Sequence, residues 1–129
     1  MSVTVAVSWG ELLDKVTILH IKAERMTDPD KLKNIHSELE ALDEAYRNAL
    51  AFNPEVAIVE AKLKAANEVI WENEDDLRDW ERKKIYGPEF VECARTAYRM
   101  NDQRCSLKRR INELLGSALM EEKSYTPYE

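Results

Sequence analysis

A guanidinium sits where a helix should present its apolar face. In the stretch MNDQRCSLKRRINELLGS, Met100, Leu107, Ile111, Leu114 and Ala118 recur at spacings of three and four. Arg104 falls in the gap of that stripe, with Asn101 and Lys108 as its neighbours one turn away on either side. An arginine buried alone is too costly to keep, so Arg104 needs a carboxylate or an aromatic face. Asp14 is the best carboxylate, because it shares a helical face with Ile18 and Ile21, and Lys15 stands beside it. Trp71 offers a cation–π surface instead. Asn73 is a second polar residue in an otherwise apolar stripe. Two chemistries fit these residues. Asp14, Asn73, Asn101 and Arg104 can form a mutually satisfied polar layer that fixes helix register. Alternatively, Arg104 and Lys108 can clamp a phosphate or carboxylate in an interior pocket. The layer is the favoured reading, because interior ionic groups are often structural.

The run WENEDDLRDWERKK offers oxygen ligands. Glu72, Asp75, Asp76 and Asp79 could face a magnesium ion. The spacing Glu72-x-x-Asp75 resembles that of all-helical nucleotide pyrophosphohydrolases. Those enzymes need a second acidic cluster, for which Glu40-x-x-Asp43-Glu44 is only a loose match, and their doubled glutamate is absent. Glu74–Arg78 and Asp79–Lys83 are spaced as i,i+4 ion pairs, so a solvated, salt-laced face explains the run without a metal. No cofactor is expected. The basic cluster Arg99, Arg104, Lys108, Arg109 and Arg110 could attract an anion locally. His20 and His36 lack metal spacing, and no phosphate loop or nucleophile elbow appears. Cys93 and Cys105 lie twelve residues apart in one predicted helix, ~18 Å by helical rise. That is too far for a mutual disulfide and implies free thiols in a reducing cytoplasm.

These side chains must be positioned by helices, and the chain is punctuated for four. Asp28-Pro29, Asn53-Pro54 and Gly87-Pro88 each join a capping residue to a proline suited to the first helical position. Ser8 and Glu11 have capping-box spacing. The expected helices are 9–26, 29–52, 54–85 and 88–121, after a segment 1–8 and before a tail 122–129. The first three carry the stripes Trp9-Leu12-Val16-Leu19-Ala23-Met26, Leu32-Ile35-Leu39-Leu42-Tyr46-Ala49 and Val56-Val59-Leu63-Ala66-Ile70, then Asn73, then Leu77-Trp80. The fold class is therefore all-α: an antiparallel four-helix, coiled-coil-like bundle in a single domain.

Helix lengths do not match. The last two span ~48 Å or more and the first two ~27 and ~36 Å, so the tip of the third and fourth helices should project. It carries Trp80, Ile85, Tyr86 and Phe90, an apolar patch of the kind that marks an interface. Folding about Gly87 would place residues whose numbers total about 174 opposite each other, bringing Asn73 to Asn101. At the start, SVTVAVS alternates Val3, Val5 and Val7 with small or polar residues, a strand pattern with no second strand to join. It must either lie across the bundle or pair with its twin in a second copy.

At 129 residues the chain suits one core, and Gly 3, Pro 4 and 34% charged residues are the composition of long solvated helices. A net charge of −6 argues against nucleic acid as a partner. Neither a signal peptide nor an apolar run of membrane-spanning length is seen, so no membrane insertion is expected.

The blocks SWGELLDKVTILHIK, WENEDDLRDWE, ARTAYRMNDQR, KRRINELLGS and EEKSY resemble a family of short, all-helical bacterial proteins known only as a domain of unknown function. The resemblance covers most of the chain and is weakest around the second helix. It implies a bacterial, cytoplasmic helical protein with no assigned activity, whose relatives accompany cell-surface polysaccharide and glycosyltransferase genes. It carries no catalytic residues over, but Glu11, Asp14, Lys15, Asn101, Asp102, Arg104, Lys108 and Asn112 lie inside its blocks. The expected function is non-enzymatic: an oligomeric interaction or assembly protein, with a small anion-binding protein or magnesium-dependent nucleotide hydrolase as the rival.

Overall fold

The computed structural model describes residues 1–128. Four helices follow one another: α1 (Trp9–Arg25), α2 (Pro29–Phe52), α3 (Glu55–Lys83) and α4 (Pro88–Leu115). No strand occurs among the described residues, and the chain is an all-α four-helix bundle. The caps form as their residue types dictate. Ser8 Oγ accepts the Glu11 N–H at 3.2 Å, and Asp28 Oδ1 accepts those of Asp30 and Lys31 at 2.9 and 3.4 Å. Asn53 accepts the Glu55 N–H at 3.0 Å and donates to the Leu114 carbonyl at 3.3 Å. One side chain therefore starts α3 and ties the α2–α3 turn to the end of α4.

Helix α4 stops at Leu115 rather than residue 121. Gly116 takes the left-handed conformation (φ 61°), and the Ser117 N–H closes on the Asn112 carbonyl at 2.8 Å. Ala118 thus leaves the stripe. The α3–α4 hairpin also folds about an earlier point than Gly87. Lys84 adopts φ 57° and ends α3, so the turn begins there. The pairs Asn73–Cys93, Glu55–Arg110 and Asn53–Leu114 have numbers totalling about 166, not 174. Asn73 accordingly donates to the Cys93 carbonyl at 2.9 Å and does not meet Asn101.

Helix α1 packs against all three others, and α3 against α4 is the most extensive pair. The core gathers Leu12, Leu13, Val16, Ala49, Val56, Leu63 and Ile111 at the end where α1 begins and α4 ends. Trp9 meets Phe52 edge-on there, with ring centroids 5.9 Å apart. At the other end Arg25, the last residue of α1, pairs with Glu68 and Glu72 at 3.3 and 3.1 Å. Beyond that level α3 and α4 continue alone. No residue from Glu74 to Leu107 is fully buried, so this arm has two helices but no dry core. Among the described residues no helix is long and apolar enough to cross a membrane.

Candidate functional site

Among the described residues, the one fully buried carboxylate of the core belongs to Asp14, which is 1% exposed. It lies on the inner face of α1 because Leu13, Val16 and Thr17 flank it there. Arg104 of α4 grips it with both arms of its fork: Nε donates to Oδ1 at 2.9 Å and Nη2 to Oδ2 at 2.5 Å. Asn67 of α3 completes the set. Its Nδ2 donates to Asp14 Oδ1 at 3.0 Å and to Thr17 Oγ1 at 2.9 Å, while the Thr17 hydroxyl donates to the Asp14 carbonyl at 2.7 Å. The hydrogen bonds to Asp14 hold the Arg104 guanidinium above its ordinary pKa, against the opposing pull of burial. Three helices are joined by one closed constellation. A carboxylate neutralised and hydrogen-bonded in this way is poorly placed to act as a base or nucleophile.

One turn further along α4, Lys108 is 7% exposed. Its Nζ lies 2.9 Å from Glu11 of α1 and 2.9 Å from Glu121 in the segment after α4. Burial depresses the Lys108 pKa, but the hydrogen bonds to Glu121 and Glu11 outweigh it and leave it raised, and the same bond holds Glu121 low. A turn later, Asn112 Oδ1 accepts the Gly10 N–H at 2.6 Å. A Cβ on Gly10 would lie 2.4 Å from the Lys108 carbonyl oxygen, so glycine lets α1 and α4 approach here. Arg104, Lys108 and Asn112 thus form a ladder that binds α4 to α1 along its length.

The other expected site residues fall elsewhere. Lys15 points outward and pairs with Glu38 at 3.2 Å, because the next position on a helix lies ~100° round from Asp14. Asn101 is half-buried, lining a groove with Tyr98, Asp102 and Lys123 beneath the final segment. That segment runs back along α4: Glu122 reaches Arg109 at 3.3 Å and the Tyr128 hydroxyl donates to Asp102 at 2.6 Å. Trp71 lines a groove of about 300 Å³ beside Arg104, with Ile18, Ile21 and Ile70. Asp14 is therefore the partner of Arg104 among the two options. Sequence reasoning does not find Asn67. It follows two alanines in the stretch Ala65-Ala66-Asn67, and its one signal is a buried-phase asparagine level with Asp14.

The acidic run does not converge. Glu72 pairs with Arg25, Glu74 with Arg78, and Asp79 with Arg82. Among the described residues no three His, Cys, Asp or Glu side chains come together in a way that could hold a metal ion, so Glu72, Asp75 and Asp76 are not gathered as a donor set. The basic cluster is likewise matched, with Arg99 on Glu92 and Arg110 on Glu55 and Glu113. At the arm's tip Tyr86 and Phe90 meet edge-on at 5.2 Å, and the Lys83 ammonium lies 5.4 Å from the Trp80 ring. Ile85 and Tyr86 remain about half exposed there.

These features define a class: a four-helix bundle whose interior polar residues join its own helices. Over residues 3–128 the chain matches the family of unknown function DUF6165, and it belongs to that family. No curated protein and no solved structure matches it.

Proposed function

We propose that this chain is a homo-oligomeric assembly protein of the bacterial cytoplasm that performs no chemistry of its own. The carrying observation is its surface. A compact monomer of 15.0 kDa exposes ~7,000 Å², whereas this chain exposes 8901 Å². The excess exceeds the ~800 Å² per partner of a standard interface. The α3–α4 arm carries an apolar tip, where Ile85 and Tyr86 are about half exposed beside the partly covered Trp80 and Phe90. The interior is consistent with that reading: among the described residues every fully buried side-chain polar atom has a partner. A role beside cell-surface polysaccharide synthesis rests on the resemblance of the sequence blocks alone. Light scattering tests the proposal. The expected mass is at least twice 15.0 kDa at high micromolar concentration, and a single-chain mass overturns it. A thermal-shift screen of nucleotides, sugar phosphates and divalent metals is expected to give no saturable shift. Stabilisation by a nucleotide with magnesium would favour the hydrolase instead.

A further inference from the structure

We infer that residues 2–7 form an intermolecular β-ribbon, in which Val3, Val5 and Val7 of one copy pair antiparallel with the same residues of a second copy about a two-fold axis at Val5. This rests on the assembly reading above and names one of its contact surfaces.

The observations come from one end of the bundle. The three valines are 86%, 68% and 51% exposed. Among the described residues, 2–7 make no backbone hydrogen bond to the rest of the chain and no strand is available to receive them. The three valines are thus not buried against their own bundle. The sequence is nevertheless built for a strand: V-T-V-A-V places a β-branched residue at every second position and one more between them. An unpaired strand is a template for another.

The partner follows from elimination and symmetry. The other stretch without helix, after Gly116, holds Pro127, which has no N–H, and its Glu121, Glu122 and Tyr128 are engaged on α4. It is a poor ladder. A twin strand has the same valine alternation and makes a self-complementary contact, as a two-fold axis requires.

Register follows from the pattern. Directly opposed residues share one face of an antiparallel pair. Centring on Val5 sets Val3 opposite Val7 and Val5 opposite Val5, so six valines form one face. A shift by one residue would oppose valine to threonine or alanine and mix the faces. An isolated two-stranded ribbon is marginal and needs cover. The segment leaves the bundle beside exposed apolar side chains that supply it. Trp9, the first residue of α1, touches Phe52 and bonds Ser117. Phe52 is exposed, and so are Leu119 and Met120 just beyond Ser117.

Cysteine scanning tests the ribbon in a Cys93→Ser, Cys105→Ser background. Val5→Cys places two thiols opposite each other on the axis, within reach of a disulfide. It is expected to cross-link quantitatively on mild oxidation. Val3→Cys, four residues out of register with its own copy, is expected not to. Val5→Lys sets two ammonium groups face to face and should weaken self-association at least tenfold. If the Val3→Cys chain cross-links as fast as the Val5→Cys chain, or if neither does while light scattering still shows an oligomer, the ribbon is overturned and assembly through the hairpin tip stands. If the unmodified chain is a single-chain species at high micromolar concentration, both inferences fall together.

Discussion

Truncating Arg104 probes the buried constellation most sharply. Asp14 receives three hydrogen bonds, two from Arg104 and one from Asn67. Arg104→Ala removes two and leaves a carboxylate, 1% exposed, with one neutral donor. Breaking a buried pair from one side costs ~3–5 kcal/mol. The lower end applies, because the Arg104 side chain is 28% exposed and water can enter the vacated rim. The expected loss is therefore ~3 kcal/mol, a large share of the ~5–15 kcal/mol that holds a domain folded. Arg104→Lys keeps the charge but not the fork, and should lose one charged hydrogen bond, ~1.5–3 kcal/mol.

The double variant Asp14→Leu, Arg104→Met removes both charges and keeps volume. It should return to within ~1 kcal/mol of the parent, since apolar replacements of buried pairs are often neutral or better. Asn67 keeps Thr17 as an acceptor in that background. Urea unfolding followed by tryptophan fluorescence, at one fixed chain concentration because association adds to apparent stability, measures all four proteins. A loss of no more than ~0.5 kcal/mol for Arg104→Ala, the range of surface changes, would refute the reasoning. So would a double variant less stable than the single.

Three further outcomes are expected. Gly10→Ala should destabilise by ~1–3 kcal/mol despite alanine's ~1 kcal/mol helix advantage, because the new Cβ would stand 2.4 Å from a backbone oxygen of α4; a thermal melt more stable than the parent would count against the close α1–α4 contact. Lys84→Gly should stabilise by ~0.5–1 kcal/mol, since Lys84 holds φ 57° where glycine is unstrained, and urea midpoints will show the direction. The Lys108–Glu121 contact should hold the final segment at neutral pH and release it at both extremes. Glu121, its pKa lowered by Lys108, adds stability that is present above its ordinary 4.5 and fades as pH falls through its lower folded value. Lys108, raised above 10.5, adds stability that is lost as pH rises through its higher value. Amide NMR signals of residues 119–128 report the release, and Glu121→Gln should abolish the acid limb.

Much of the architecture is legible in the sequence because it is local. Capping residues and prolines set all four helix starts within a residue, and the 3.6-residue period assigns the inner faces. What escapes such reading depends on two residues that break local rules. Gly116 ends α4 inside a stretch, Leu114 to Met120, whose apolar pattern runs straight through it. Lys84 takes a conformation that its side chain disfavours, which moves the hairpin's fold point and carries Asn73 to the Cys93 carbonyl. The Asp14–Arg104 pairing is legible because a buried guanidinium demands a carboxylate. Asn67 and Gly10 are not, because nothing local names the partner that either one meets. Their roles exist only where helices meet, in the Asn67 amide between Asp14 and Thr17 and in the space that a Gly10 side chain would fill.

The polar constellation would also serve the proposed assembly. On one side of Asp14 lies the dense core of Leu12, Leu13, Val56 and Ile111; on the other lie the buried Leu19, Ile21 and Ala66, and then the coreless arm. A purely apolar α1 could slide by a turn against α3 and α4 at small cost, since its leucines and isoleucines are nearly interchangeable. A bidentate pair, an amide bridge and a glycine contact tolerate no such shift. Fixing α1 fixes Ser8, and with it the point and direction at which Val7, Val5 and Val3 leave the bundle. A two-fold contact repeats every positional error twice, once in each copy, so a chain that associates through a segment leading straight into α1 needs that helix held in one register.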